Sequence, residues 1–457
     1  MADADADDAP APFALGDALV RLQDGELELE HEVSPDGIDA ALGAAVDALA
    51  HAPAALAEQP LFDAVASCVR HAHTLAPEKA HALVDSVASG MHACLEDAPL
   101  PILERYAFLL QWLVQSLEKS AADKKRSWAA SVPTVLALMA RTLEAVPEHA
   151  WPTSTERDAF VGRCIVRPVL LLQENEAYIK APAIRTALFR VVCLAVKHHG
   201  QAFNVQTSIV QSLQYYEHLA EPMAELLALM RTEYDYERLG EDVLREVGTR
   251  SFAGIDSKTP RSFARFLVRM AELNARSVLK QMSLLQAHLG SEAYPIRIAM
   301  VEVLRHMITT LVSADDLESL DDESHARERQ ITHFFDLLLE RALDLTTFVR
   351  TRVIHVCAAL CELPAKFPAQ RMRIADLALQ ALEDKGSNVR RSAIALLTQL
   401  VLTHPFGVMH GGELDGDVWE KRCAVVDSEV RALEARLDLP GEDEGEGEAE
   451  GEGEAKG

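Results

Sequence analysis

Aromatic residues make up only 5% of this 457-residue chain, and glycine (22) and proline (20) are sparse. With few aromatic and β-branched positions, and no run of alternating polar and apolar residues, nothing in the chain builds a sheet. No uncharged apolar run approaches the roughly 20 residues that a membrane span needs, and no secretory leader is legible, so a membrane role is not expected. The seven cysteines (Cys68, Cys94, Cys164, Cys193, Cys357, Cys361 and Cys423) are odd in number, scattered, and contain no CxxC pair. That usage fits thiols acting as small core hydrophobes in a reducing nuclear or cytosolic compartment. There is no GxxxxGKS/T, no GxGxxG after a strand, no HExxH and no GxSxG, so the common nucleotide, zinc-hydrolase and serine-hydrolase frames are missing. The expectation is a chain that is not an enzyme and that carries no cofactor.

What remains is helix. Hydrophobic residues make up 49% of the chain, carried mostly by Ala and Leu, the strongest helix formers. From about residue 37 to 436 the sequence reads as amphipathic helices of ordinary length. They are separated by breaks such as Ala52-Pro53, Ala98-Pro99, Val146-Pro147, Thr259-Pro260, Leu363-Pro364 and Phe367-Pro368. Net charge is −27. Residues 441–457 hold eight acids against one lysine, and the opening MADADADDAP adds four aspartates. Such segments have too little apolar surface to offset the entropy of ordering. The chain therefore divides into a variable N-terminal segment (1–36), a helical region (37–436) and a disordered acidic tail (437–457). An acidic body is a poor nonspecific DNA coat, so any nucleic-acid contact must use local basic patches.

Internal repetition decides between a bundle and a solenoid. LLLERALDLTTFVRTRVIHVCAAL (337–360) and LALQALEDKGSNVRRSAIALLTQL (377–400) align without a gap at an offset of 40. Leu337 matches Leu377, Leu339 matches Leu379, Asp344 matches Asp384, Val349-Arg350 matches Val389-Arg390, and Leu360 matches Leu400. Two helices per unit at that period predict an all-α, HEAT/armadillo-like α-solenoid. Further second helices share the register. Arg185 is followed by Leu188, Phe189, Val191 and Val192, and Arg297 by Met300, Val301, Val303 and Leu304. These offsets lie on one helical face. The same register places Leu397 on the apolar face. The Asp–Arg pairs at spacing six, Asp344/Arg350 and Asp384/Arg390, predict a structural ladder in which a turn aspartate reaches the arginine of a neighbouring unit. Arg185 and Arg297 lack an acid at minus six, which marks their units as more degenerate.

Candidate chemistry is thin. Cys68, His71, His73, His81, His92 and Cys94 are metal-ligand types, but their spacing fits no zinc site, and they read as helix faces and buried thiols. His198-His199 reads as helix C-terminal capping. Asp315-Asp316 and Asp321-Asp322 read as a solvated linker. The best basic feature is SKTPRSFARFLVRMAELNARSVLK (257–280). Thr259 and Pro260 fit a helix start. Arg261, Arg265 and Arg269 then span about 80° of the helix surface, with Phe263, Phe266, Leu267 and Met270 opposite. Arg276 and Lys280 continue the stripe unless the chain bends near Asn274. This face is a candidate DNA-phosphate or acidic-partner surface, weighed against an ordinary solvated face. Lys124-Lys125-Arg126 is a smaller candidate.

Longer ordered strings carry a resemblance. Residues 241–304 (EDVLREVGTRSFAGIDSKTP onward), TTFVRTRVIHVCAALCELPAKFP (346–368) and LEDKGSNVRRSAIALLTQLVLTHPFGVMHGGEL (382–414) resemble the N-terminal part of the condensin subunit 1 family. YAFLLQWLVQSLE (106–118) and SIVQSLQYYEHLAEPMAELL (208–227) match more weakly. The resemblance covers most of 100–425 and is loose over the first hundred residues. These are the HEAT-repeat, non-SMC regulatory subunits of condensin. The resemblance implies binding to a kleisin subunit, association with SMC ATPase subunits that hold the ATPase sites, contact with DNA or chromatin, and work in mitotic chromosome condensation. Nucleus and chromosome follow as the location, with cytoplasm in part. Family members are longer, with a second HEAT region after an acidic linker, and the functions of that region are not carried over. The competing expectation is a generic HEAT adaptor in transport or signalling with no DNA role.

Overall fold

The computed structural model describes residues 13–120, 128–253, 258–313, 321–365, 367–404 and 416–437. The acidic tail from 438, the first twelve residues, Lys124-Lys125-Arg126 and Asp315-Asp316 lie outside them. Among the described residues no strand forms, and the all-α solenoid architecture holds. In chain order the helices are α1 (Leu15–Asp24), α2 (Ile38–His51), α3 (Gln59–Arg70), α4 (Pro77–Cys94), α5 (Leu100–Ser120), α6 (Val132–Ala145), α7 (Ser154–Arg157), α8 (Arg167–Gln173), α9 (Glu176–Lys180), α10 (Pro182–His199) and α11 (Ala202–Tyr215). They continue as α12 (Ala220–Thr232), α13 (Arg238–Thr249), α14 (Lys258–Leu273), α15 (Ala275–Leu285), α16 (Tyr294–Ser313), α17 (Asp321–Glu340), α18 (Thr347–Cys361), α19 (Pro368–Ala381), α20 (Ser387–Leu402) and α21 (Gly416–Leu437). Proline sits in the first turn of α3, α4, α6, α10 and α19, where a missing N–H costs nothing. Gly200, at φ 66°, takes the left-handed conformation that closes α10.

Two compact units divide within α18, between Arg352 and Val353. In the first, two layers stack in chain order. One layer runs α2, α4, α6, α10, α12, α14, α16, each helix packed on the next. The other begins α3, α5 and the helix of residues 154–173, and continues α11, α13, α15. The N-terminal segment is not all loop: α1 buries Leu15, Ala18 and Leu19 and packs against α5. Residues 154–173 form one continuous helix whose middle, Asp158–Val166, is π-helical. Pro168 lies just beyond that stretch. Its ring would meet the carbonyl four residues back and it has no N–H to donate, and a widened turn relieves both problems.

The predicted faces are in the core. Leu188, Val191 and Val192 on α10, and Met300, Val301, Val303 and Leu304 on α16, are fully buried. At about 1.5–3 kcal/mol for each large side chain, these faces hold the stack together.

The arginine motif repeats, with a different geometry from a simple Asp–Arg pair. Arg350 Nη1 donates to the carbonyl oxygens of Asp344 (2.7 Å) and Leu345 (3.2 Å). Arg390 does the same to Asp384 (2.7 Å) and Lys385 (3.1 Å), and Arg297 to Ser291 (2.7 Å) and Glu292 (3.1 Å). Spacing six is thus read by backbone carbonyls, so Arg297 keeps the same turn without an acid at minus six. The Asp344 carboxylate instead accepts two bonds from Arg297, Nε to Oδ2 at 2.8 Å and Nη2 to Oδ1 at 2.9 Å. Asp344 also accepts the N–H of Thr346 (2.8 Å), as Asp384 accepts that of Gly386 (2.7 Å).

The second unit holds the rest of α18 with α19, α20 and α21. His355 Nε2 lies 3.0 Å from Ser392 Oγ, tying α18 to α20. Leu397 is only half-buried, whereas its counterpart one repeat earlier, Cys357, is fully buried.

Candidate interaction surfaces

The basic stripe starts on α14. Phe263, Phe266, Leu267 and Met270 form its fully buried side. Arg261 and Arg265 are exposed, and Arg269 is half-buried. Thr259 lies inside the helix, and its hydroxyl donates to the Gln214 carbonyl (3.2 Å) instead of capping the helix. The chain does bend at Asn274, whose φ of −138° interrupts the helix. Arg276 and Lys280 therefore belong to α15, which packs beside α13 while α14 packs beside α12.

Acids occupy most of these cations. Arg265 meets Glu217 at 3.4 Å. Arg269 meets Glu225 (3.1 Å) and Glu272 (2.7 Å), and Glu225 also lies 3.5 Å from Arg185. Lys280 meets Glu237 (2.8 Å) and Glu241 (2.7 Å). The hydrogen bond from Arg269 holds the Glu272 carboxyl below its usual range, and that from Lys280 does the same to Glu237. Arg261 and Arg276 extend into solvent, with no ion pair among the described residues. The spacing on one helix brings Arg261, Arg265 and Arg269 together, but it does not reveal their acid partners.

Near the first candidate metal cluster, Cys68 and Cys94 are buried in the core, and burial pushes the Cys68 thiol up to about 11. His81 bonds Ser131 Oγ (2.7 Å) and His92 lies against Arg141 (3.1 Å). Among the described residues no group of three His, Cys, Asp or Glu converges to hold a metal. Among the described residues no helix is long and apolar enough to cross a membrane.

Sequence reading missed a groove of about 1480 Å³ on the first unit, lined by α1, α5, the 154–173 helix and α11. Val20, Val166, Leu170 and Leu171 line it, and Phe203 and Tyr215 stand 75% and 72% exposed at its edge. Charged side chains of both signs, Arg163 and Arg167 with Asp17, Glu104 and Glu156, also line it. A Cβ on Gly162 would come 2.9 Å from Gln201 Oε1, so glycine permits the close approach of the π-helical stretch to the Gln201 side chain just before α11. Exposed aromatics beside an apolar wall suit a polypeptide segment better than a small molecule.

One groove carboxyl is perturbed. Burial, and secondarily the negative charge of Glu156, raises Glu104 from its ordinary 4.5 to about 7. The folded state therefore holds an extra proton between those values, and stability falls as pH rises through that window. Glu104→Gln should abolish this part of the pH dependence. Its Tm should drop less than that of the wild type between pH 5 and pH 8, and parallel curves would refute the assignment.

Residues 120–205 match the family described as non-SMC mitotic condensation complex subunit 1, N-term. The chain is 36% identical over 288 residues to condensin complex subunit 1 of Schizosaccharomyces pombe, covering 63% of this chain and 24% of that protein. It is 31% identical over 359 residues to condensin complex subunit 1 of Saccharomyces cerevisiae, covering 74% and 30%. It is 26% identical over 398 residues to the condensin-1 complex subunit CAP-D2 of Arabidopsis thaliana, covering 77% and 27%. The aligned part is thus about a quarter to a third of each relative's length. Over that part, this chain is similar to condensin complex subunit 1, and its residues 120–205 match that family's N-terminal region.

Proposed function

We propose that this chain acts as a non-SMC regulatory subunit of condensin: a non-enzymatic HEAT scaffold that binds the kleisin subunit, the SMC ATPase heads and DNA in mitotic chromosome condensation. It works at chromosomes in the nucleus, with part of it in the cytoplasm. The observation that carries this reading is the 36% identity over 288 residues to the Schizosaccharomyces pombe subunit. The groove, with Phe203 and Tyr215 at its edge, supports a polypeptide partner. ATP hydrolysis belongs to the SMC partners on this reading. Native pull-down of the chain with mass spectrometry is the test. SMC and kleisin chains are expected, whereas transport cargo or phosphatase subunits would refute it. One observation favours a competing reading, a HEAT adaptor with no DNA role: acids already neutralise Arg265, Arg269 and Lys280.

DNA contact on the main reading runs along Arg261, Arg265, Arg269, Arg276 and Lys280. Arg261 and Arg276 meet phosphate directly, and the other three exchange a carboxylate for it. Such contacts position without reading sequence and weaken with salt. The Arg261→Glu/Arg276→Glu variant should bind duplex DNA more weakly, with a salt slope reduced by about 2, one for each phosphate that is no longer neutralised. Fluorescence anisotropy at several salt concentrations decides it. An unchanged affinity and slope would leave the stripe an intramolecular ion-pair row.

A further inference from the structure

The repeat register exposes an unfinished face. On α18, the positions Ile354, Cys357 and Cys361 are buried to 2%, 0% and 1% exposure. Their counterparts 40 residues later on α20 are Ile394, Leu397 and Val401. Ile394 is 59% exposed, Val401 is 74% exposed and Leu397 is half-buried. The other apolar side of α20 matches its counterpart on α18: Val389, Ala393 and Leu396 are as buried as Val349, Val353 and Val356. One face of the last helix pair is thus packed and the other is open. In a stacked array, the open face is the one that a following helix covers.

The next helix in the chain carries a complementary surface. Every side chain of α21 from Glu420 to Leu433 is exposed. Cys423, Val426, Val430 and Leu433 fall within about 80° of its circumference, at spacings of three, four and three residues. Charges of both signs flank this stripe, Asp427, Glu420 and Arg431 on one edge and Arg422 and Glu429 on the other. In proteins an amphipathic helix gains most of its stability from packing its apolar face. Ile394, Leu397 and Val401 repeat the same three-and-four spacing, as ridges that interdigitate require. Residues 403–415 join the two helices. Thirteen residues reach as far as about 43 Å, several times the 8–10 Å between packed helix axes.

We propose that α21 closes the open face of α20, laying Cys423, Val426, Val430 and Leu433 over Ile394, Leu397 and Val401. The occupant is this chain's own helix, because it follows within reach and its stripe matches in spacing.

Cys423 makes the proposal measurable, since the other six cysteines are buried. Alkylation of Cys423 in the full chain is followed by mass spectrometry, together with hydrogen exchange of residues 416–437. Wild type should react about tenfold or more slowly than the Ile394→Asp/Val401→Asp variant, with α21 amides losing protection in the variant. Val430→Asp/Leu433→Asp, on the opposite partner, should accelerate Cys423 equally, which keeps the test decisive if the first variant misfolds. Equal rates and equal exchange in wild type and both variants would overturn the proposal. Protection that disappears on dilution would overturn it too, by assigning the cover to a second copy.

Discussion

Arg297→Ala is expected to destabilise the first unit by about 3–5 kcal/mol, the cost of leaving one partner of a buried ion pair alone. The pair is dry, with the Arg297 and Asp344 side chains 11% and 5% exposed. Besides its two bonds to the carboxylate, the guanidinium donates to Thr346 Oγ1 (3.0 Å) and to the Ser291 and Glu292 carbonyls. One side chain therefore fixes its own turn and the turn before α18. Arg297→Lys should recover only part of the loss, because an ammonium cannot reproduce the planar fork. Arg190 with Glu144 provides the contrast: the contact is shorter, at 2.6 Å, but the side chains are 54% and 42% exposed. Arg190→Ala should cost less than about 1 kcal/mol, since solvent screens such pairs. Urea unfolding of the three variants is the measurement. Equal losses for Arg297→Ala and Arg190→Ala would show that burial does not set the strength of this ladder.

Much of the fold was legible because a solenoid writes its packing into local spacing. The offset of 40 and the apolar positions three, four, six and seven after Arg185 and Arg297 needed no long-range information. The register also predicted that a turn aspartate reaches the arginine of a neighbouring unit, and Asp344 meets Arg297, 47 residues earlier. What failed to show was the partnership of the arginine stripe. Its spacing identified an outward face correctly, but Glu217 and Glu225 lie 48 and 44 residues before Arg265 and Arg269. Glu237 lies 43 before Lys280. Each acid sits about one repeat upstream, so a search for opposite charges at the repeat period would have found all three. The groove left no comparable trace. It is assembled from helices far apart in the chain, and nothing in α11 distinguishes the exposed Phe203 from the buried Val205.

Arg371 lay outside every pattern in the sequence, and its replacement by methionine is expected to cost the second unit about 3 kcal/mol or more. It sits on α19, 7% exposed, with Arg373 exposed two residues further on. Nη2 donates to the carbonyl of Cys361, the last residue of α18. Nη1 donates to Thr403 Oγ1 (3.1 Å), just past the end of α20, and that hydroxyl donates in turn to the Gln399 carbonyl (2.7 Å). One buried cation thus joins two helix C-termini, where unpaired carbonyls concentrate partial negative charge. Methionine keeps most of the volume and the apolar stem, so the loss isolates the hydrogen bonds. Bonds from a charged donor are worth about 1.5–3 kcal/mol each, and two are removed. Arg373→Met, on the exposed face of the same helix, should change stability by less than about 1 kcal/mol. Hydrogen exchange of α18, α19 and α20 amides under native conditions reads both variants. Loss of protection at the ends of α18 and α20 in Arg371→Met, with Arg373→Met like wild type, is the expected pattern. If the two variants exchange alike, Arg371 is a buried stem whose charge does not hold the helix ends.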